Sequence, residues 1–294
     1  MFGYRWEFAE SDERPEKTTA CEELENGYTK EMLFLWVFVF LFGTVVGSFL
    51  NAVIYRTEKG GSAFQGRSYC PHCKHQLSWR DLIPLLSFIL LRGQCRYCHL
   101  KISWQYPLVE LSTGVVFLFI FFSYGGFALF FSIDHIFRLA YVWGVTSLLI
   151  IIFVYDLKHF LIPDTIVYGA TGLALLYHLL EFENLENFVS FWIAALFASG
   201  FFLAIFLGSR GRWMGLGDVK LAFFMGLFLG WPNVLVALFV AFVIGAGGGL
   251  VLIATRRKNL TSEVPFGPFL IAGTLVALLW GKDLVDWYLN LILV

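Results

Sequence analysis

The chain contains the stretch Leu148-Leu149-Ile150-Ile151-Ile152-Phe153-Val154-Tyr155-Asp156. In this stretch the carboxylate of Asp156 directly follows an apolar run, residues 138–155. A helix of roughly this length crosses a bilayer core of about 30 Å. Seven further apolar runs lie at about residues 32–54, 107–124, 165–182, 188–208, 218–230, 233–255 and 266–292. The 294-residue chain is 58% hydrophobic and only 15% charged, whereas a soluble domain carries about 25% charged residues. The sequence therefore predicts an all-α polytopic membrane protein with about eight transmembrane helices.

The longest internal polar segment, residues 55–106, separates the first two apolar runs. It carries eight basic residues against two acidic ones, Glu58 and Asp81. Short loops rich in Lys and Arg stay in the cytoplasm, so this segment is predicted to be cytoplasmic and both chain termini to lie outside. Strict alternation predicts three more cytoplasmic loops, near residues 156–164, 209–217 and 256–265. The net charge of −1 indicates no nucleic-acid partner.

Two C-x2-C pairs lie in this segment and contain four of the five cysteines: Cys70, Cys73, Cys95 and Cys98. Four thiolates bind Zn²⁺ tetrahedrally and leave no open position for water. The predicted metal is therefore structural, and it folds a loop of about 50 residues that is too small for its own core. Reduced, redox-active thiols are the alternative. His72, His75 and His99 are potential substitute ligands, although four cysteines already complete the shell.

Four parts of the chain follow from these patterns. Residues 1–31 form an N-terminal tail, whose first 30 residues hold eight acidic and four basic residues. The tail lacks a basic start and an apolar stretch with a cleavage site, so it is not predicted to be a signal peptide. Residues 32–54 form the first transmembrane helix, residues 55–106 a cytoplasmic four-cysteine zinc domain, and residues 107–294 a seven-helix membrane core.

Ionisable residues at membrane helices are costly and are therefore candidates for function. Between residues 107 and 255, the carboxylates predicted on the cytoplasmic side are Glu110, Asp156, Asp164 and Asp218. Asp156 ends a helix that runs inwards, and Asp218 opens one that runs outwards. Topology alone thus places both at one depth. Two adjacent carboxyl groups share a proton, so that one can act as general base on water and the other as general acid.

A simpler interpretation of each acid is structural. Asp218 would cap its helix and Asp156 would be an interfacial residue, since Asp is strongly preferred at helix N-caps. Asp164, which follows Ile162-Pro163, is predicted to be an N-cap. Glu110 is predicted to anchor or pair with a basic residue of the loop, and His159 to be interfacial.

The chain resembles the type IV prepilin peptidase family of the GxGD aspartyl protease class from about residue 40 onward. The motifs that carry this resemblance stand in the family's order. They are Gly47-Ser48-Phe49-Leu50-Asn51 with Tyr55-Arg56, the two C-x2-C pairs, Gln105-Tyr106-Pro107-Leu108-Val109-Glu110, Asp156 eight residues before Asp164, Gly215-Leu216-Gly217-Asp218-Val219-Lys220, and Pro265-Phe266-Gly267-Pro268. GxGD alone is weak, but the ordered series is specific.

The resemblance implies a bacterial inner-membrane enzyme with its active site facing the cytoplasm. Such enzymes remove the short basic leader of prepilins and pseudopilins, which belong to type IV pilus and type II secretion systems. They cut after a glycine, before the apolar helix of the substrate begins. Many also methylate the new N-terminus with S-adenosylmethionine. The family's catalytic aspartates match Asp156 and Asp218, and its zinc ligands match Cys70, Cys73, Cys95 and Cys98. Substrate and membrane lipid are the implied partners, and no oligomeric state follows.

Two departures bear on the methylation activity and on the N-terminus. Tyr55-Arg56 precedes Thr57-Glu58, where the family more often has a proline, and the acidic tail is unusually long. The chain has no glycine-rich S-adenosylmethionine loop of the Rossmann type, so the methyl-donor site is not located.

The alternatives are a peptidase without methylation and a zinc-stabilised transporter or assembly scaffold. Transport is disfavoured because the acids lie at one boundary and no repeat is evident.

Overall fold

Long apolar runs without interior proline favour helices, because every backbone N–H and C=O of a helix is satisfied within the segment. The computed structural model describes residues 19–61, 66–126, 132–182, 184–254 and 264–293, with side chains omitted for 19–31, 252–253 and 293. Within these residues the helices are α1 (Thr19–Glu58), α2 (Leu86–Leu90), α3 (Gln105–Ser123), α4 (Ile133–His159), α5 (Asp164–Leu180), α6 (Leu185–Ser209), α7 (Leu216–Leu229), α8 (Asn233–Ala254) and α9 (Gly267–Leu293). The first 18 residues and most of the predicted cytoplasmic loop near residues 256–265 lie outside this description.

Every predicted apolar run coincides with a helix, which confirms the all-α membrane class. Six described helices are long and apolar enough to cross a membrane: α1 from Met32, α3, α4, α6, α8 and α9. The other two apolar helices, α5 and α7, have 17 and 14 residues. Helix α1 begins at Thr19, within the segment predicted to be a tail. Up to Phe38 the described chain consists of α1 alone, and the contacts below all involve residues from Val39 onward.

Helices α1 and α3 cross closely at two glycines of α1. A Cβ on Gly43 would lie 2.8 Å from the Gly114 Cα, and one on Gly47 would lie 2.8 Å from the Glu110 Cα. The spacing of four residues places both glycines on one face of α1, as in membrane helix pairs that approach through small residues. The side chain of Asn51 reinforces this crossing by donating to the carbonyl of Tyr106 at 3.0 Å.

Helices α4, α7 and α9 form the centre of the membrane core. Helix α9 packs on α8, α4 and α7, while α7 also packs on α6 and α5. Glycine permits the closest approaches, because a Cβ on Gly226 of α7 would collide with the Ala195 backbone, and one on Gly273 of α9 with the Ala237 carbonyl. This packing brings three helix ends together, namely the C-terminal turn of α4 and the N-termini of α7 and α9.

The four-cysteine segment, residues 55–106, folds without a β-sheet in its described residues. Its two C-x2-C turns share one backbone pattern. The N–H of Cys70 donates to His75 O and the N–H of Cys95 to Leu100 O, each at 2.9 Å. One isolated β-bridge flanks each turn, Tyr69 with Gln76 and Gln94 with Lys101. The two turns are therefore repeated structural units that present their thiols to a common centre.

Candidate active site

The last turn of α4 positions Asp156. The helix continues to His159, beyond the expected end at Asp156, and stops where Phe160 adopts a left-handed conformation with φ of 55°. Asp156 is only 4% exposed. Its carboxylate accepts a hydrogen bond from the backbone N–H of Gly267, the first residue of α9. The carboxylate thus lies at the positive end of a helix distant in sequence.

Asp218 is the third residue of α7 and is 9% exposed. Its Oδ2 accepts a hydrogen bond of 3.2 Å from the N–H of Gly215, which precedes the helix. Asp218 is therefore not the N-cap of α7, as the simpler interpretation expected, because Gly215 occupies that position and the Asp218 carboxylate reaches back to it from inside the helix. Asp218 also lies close enough to Asp156 for the two carboxyl groups to interact electrostatically. The structure brings the two predicted site residues together, and capping does not account for their proximity.

Ile162 packs between the N-termini of α7 and α9. A Cβ on Gly217 would lie 3.0 Å from the Ile162 Cβ, and one on Gly267 would lie 3.3 Å from its Cδ1. The Gly267 Cβ would also lie 2.5 Å from the Asp156 Oδ2. Glycine is thus required at position 267 because the carboxylate occupies the space of a side chain. The chemistry of single residues did not predict a role for Gly267 in the site. The only sequence signal for it was the family motif Pro265-Phe266-Gly267-Pro268, which contains this glycine.

Asp164 lies outside the carboxylate pair. It is the first residue of α5, with Pro163 at the N-cap, so the predicted N-cap role was wrong. The side chain of Asp164 contacts another helix instead of capping its own. Both of its carboxylate oxygens accept from Lys220 Nζ at 2.8 Å. This ion pair joins α5 to α7 two residues after Asp218.

Glu110 is 8% exposed and anchors the polar segment to α3. Its Oε2 accepts from the N–H of Leu85 at 2.8 Å, and the Ser48 hydroxyl also bonds the carboxylate. The anchor is as expected, although the loop partner is a backbone amide and not a basic side chain.

His159 lies 3.3 Å from Glu58, which also pairs with Lys158 at 2.8 Å.

The four predicted metal ligands converge in the polar segment. The Sγ atoms of Cys70, Cys73, Cys95 and Cys98 all lie within 4.8 Å of one another, so this cluster could hold a metal ion. Cys70 and Cys98 have their sulfur atoms 3.9 Å apart. Tetrahedral Zn–S bonds of about 2.3 Å separate two sulfurs by about 3.8 Å, so the thiols fit zinc. Within the described residues, no histidine joins the group.

Asp81 links the two halves of the four-cysteine segment. Its carboxylate accepts from Arg96 Nε at 2.6 Å, from the Tyr97 hydroxyl at 3.1 Å and from the Ser78 hydroxyl at 2.8 Å. Burial favours the neutral acid, but these hydrogen bonds outweigh it and hold the pKa of Asp81 below its ordinary value. Arg96 and Tyr97 lie between Cys95 and Cys98, so Asp81 positions the second C-x2-C turn.

The fold and the site define a polytopic membrane protein with a buried carboxylate pair and a separate four-thiol cluster. Residues 41–124 match the bacterial peptidase A24 N-terminal domain, and residues 143–250 match the type IV leader peptidase family. The chain belongs to the type IV leader peptidase family and is a peptidase. The transporter or scaffold alternative is thereby set aside.

Several curated relatives match nearly the whole chain. A prepilin leader peptidase/N-methyltransferase of Legionella pneumophila is 33% identical over 288 residues, covering 87% of this chain and 95% of the relative. Proteins of the same name from Aeromonas hydrophila and Bacillus subtilis are 33% and 32% identical. These two alignments cover 86% and 87% of this chain, and 93% and 98% of the respective relatives. No solved structure matches the chain.

Proposed function

We propose that this protein removes the short basic leader of prepilins and pseudopilins at the cytoplasmic face of the bacterial inner membrane. The observation that carries the proposal is the meeting of two buried carboxylates, Asp156 on α4 and Asp218 on α7, at the start of α9. The names of the relatives support this substrate class. The basic loop supports the orientation, because eight basic residues favour the cytoplasmic side.

Hydrolysis uses one proton shared by the two carboxyl groups. The ionised carboxylate takes a proton from water as the oxygen attacks the scissile carbonyl, and the protonated carboxyl donates its proton to the carbonyl oxygen. The tetrahedral intermediate then expels the amine, which receives the proton that came from the water. As the carbonyl re-forms, one of the two hydroxyls of the intermediate returns its proton to the carboxyl pair, and the other hydroxyl remains in the carboxylic acid product. Burial of both groups strengthens their interaction by excluding water.

The four-cysteine segment has a structural role in this proposal. Cys70, Cys73, Cys95 and Cys98 would hold Zn²⁺, which contributes folding energy to a segment with few buried apolar side chains. A closed tetrahedral site has no position for water. The zinc-binding segment therefore supports the fold, whereas Asp156 and Asp218 carry out the cleavage.

A second reaction, N-methylation of the new N-terminus, belongs to the same proposal. The names of the relatives support it, with S-adenosylmethionine as the methyl-donating substrate. Incubating the purified protein with a prepilin and S-adenosylmethionine labelled in its methyl group tests it. Label in the mature pilin supports the bifunctional enzyme, whereas cleavage without label identifies a peptidase that lacks methylation.

Leader cleavage by single-residue variants tests the carboxylate pair. In proteoliposomes that contain a prepilin, Asp156→Asn and Asp218→Asn should each lower the cleavage rate by about 10²–10⁴-fold, the range for losing a general acid–base group. Asp164→Asn is the matched control, because it is an equally small change at an acid that pairs with Lys220. Near-normal cleavage by either of the first two variants would refute the pair.

A further inference from the structure

An apolar cleft of about 430 Å³ lies between α4, α8 and α9. Its α4 and α9 walls are aromatic, aliphatic and proline side chains: Phe153, Leu157, Phe160, Pro268, Phe269 and Ala272. Ile244 of α8 contributes to the third side. All lining residues are uncharged and apolar, so the cleft has the chemistry of a site for a hydrocarbon or aromatic surface.

The cleft begins beside the carboxylate pair. On α4, Phe153 lies three residues before Asp156, which places the two on the same face of that helix, and Phe160 directly follows the last residue of the helix. On α9, Pro268 directly follows Gly267, whose N–H bonds the Asp156 carboxylate. From Pro268 to Ala272 the cleft follows α9 over a rise of about 6 Å at 1.5 Å per residue. It therefore leads from the carboxylates into the membrane core.

The walls of the cleft are incompletely covered by this chain. Leu157, Phe160 and Ile244 expose 50%, 47% and 41% of their surface. By contrast, Ile150, Ile152 and Val154 on the same stretch of α4 are buried. The apolar side chains that the rest of the chain leaves exposed thus lie near the carboxylate pair.

We propose that this cleft binds the first one to two helical turns of the apolar segment that follows the scissile bond. This inference rests on the proposed function, since a substrate cut immediately before an apolar helix must hold that helix in apolar surroundings while the bond reaches the carboxylates. A cleft lined by Pro268, the residue after the Gly267 that bonds Asp156, meets this requirement. Its aromatic walls suit a bulky apolar or aromatic residue at the new N-terminus, since aromatic pairs add to the energy of burial.

Photocrosslinking tests the location of the substrate. p-Benzoylphenylalanine is placed at Leu157 or at Ile244, in an Asp218→Asn background that retains uncleaved prepilin. Phe239, which is 70% exposed elsewhere on α8, is the matched control position. We expect crosslinks from positions 157 and 244 to the first turns of the prepilin apolar segment, and none from position 239. Crosslinks only to lipid, or equal crosslinking from all three positions, would overturn the proposal.

Filling the cleft provides an independent test in the active enzyme. Ala272→Phe should lower kcat/KM for a full-length prepilin by about tenfold or more, equivalent to ~1.4 kcal/mol, mainly through KM. Ala140→Phe makes the same change at an exposed position of α4 remote from the cleft and should leave kcat/KM unchanged. Equal activity of the two variants, with both eluting as folded protein, would contradict the proposal. If the wild-type protein itself fails to cleave a prepilin, the proposed function is wrong and the cleft assignment fails with it.

Discussion

The backbone N–H of Gly267 donates a hydrogen bond to the carboxylate of Asp156 across 111 residues of sequence, joining the first turn of α9 to the last turn of α4. A Cβ at position 267 would lie 2.5 Å from the Asp156 Oδ2. This contact determines where the first carboxylate lies, and it depends on the absence of a side chain. Gly267 is therefore a positioning residue for the candidate active site.

Substituting this glycine should displace Asp156. We expect Gly267→Ala to reduce leader cleavage by about 10–100-fold, since misplacing a reacting group by about 1 Å can cost 10²-fold. Gly247→Ala is the control, because a Cβ at that position of α8 would meet no atom within 4 Å. Initial cleavage rates in proteoliposomes, with thermal unfolding measured alongside, provide the comparison. Equal rates for the two variants would show that the close approach at Gly267 is unimportant.

The Asp164–Lys220 ion pair should contribute little to stability. Its side chains are 54% and 32% exposed, and exposed pairs contribute about 0.2–1 kcal/mol. A double-mutant cycle with Asp164→Ala and Lys220→Ala should therefore give a coupling free energy of unfolding in that range. A coupling far above it, or loss of cleavage in Asp164→Ala with the fold intact, would mean that Asp164 takes part in the reaction.

Metal content should depend on the four clustered thiols. We expect one zinc per chain in the wild-type protein, measured by elemental analysis of the purified protein. Cys95→Ser should lower this stoichiometry and speed proteolysis of the segment between α1 and α3, because the metal organises that segment. Cys21→Ser is the control and should retain one zinc. Full zinc content in Cys95→Ser would exclude the four-cysteine site.

Asp81 should make the four-cysteine segment sensitive to acid. Hydrogen bonds depress the pKa of Asp81 in the folded protein, so its stabilising effect is present above the unfolded pKa of about 3.9. The effect is lost as pH falls through the lower, folded pKa. The difference in unfolding midpoint between the wild-type protein and Asp81→Asn should therefore stay constant near neutral pH and shrink in acid. Scans by tryptophan fluorescence over a pH series provide the measurement, and a difference that grows in acid would reverse the assignment.

Helix positions and the general class were readable from the sequence because they depend on local composition. A run such as 138–155 is too apolar and too long for a soluble loop, and helix α4 covers it. The cluster of four cysteines could also be predicted from the sequence, because C-x2-C spacing brings two thiols together within one turn. Only the contact between the two C-x2-C turns then has to form. The role of Asp164 could not be predicted from the sequence, since its ion-pair partner, Lys220, lies 56 residues away on another helix.

The sequence by itself predicted Asp156 and Asp218 at the same depth in the membrane, since alternating helices return the chain to the same side. Topology predicts depth but not lateral position, so it left the simpler interpretation, with Asp218 as a helix cap and Asp156 as an interfacial residue, equally acceptable. Tertiary packing decided the rest. Gly226 lets α7 approach α6, and Gly273 lets α9 approach α8, at backbone distance. Gly267 leaves room for the Asp156 carboxylate, so that the N-terminus of α9 lies against Asp156. Such contacts depend on the shapes of several helices at once, and no local pattern encodes them.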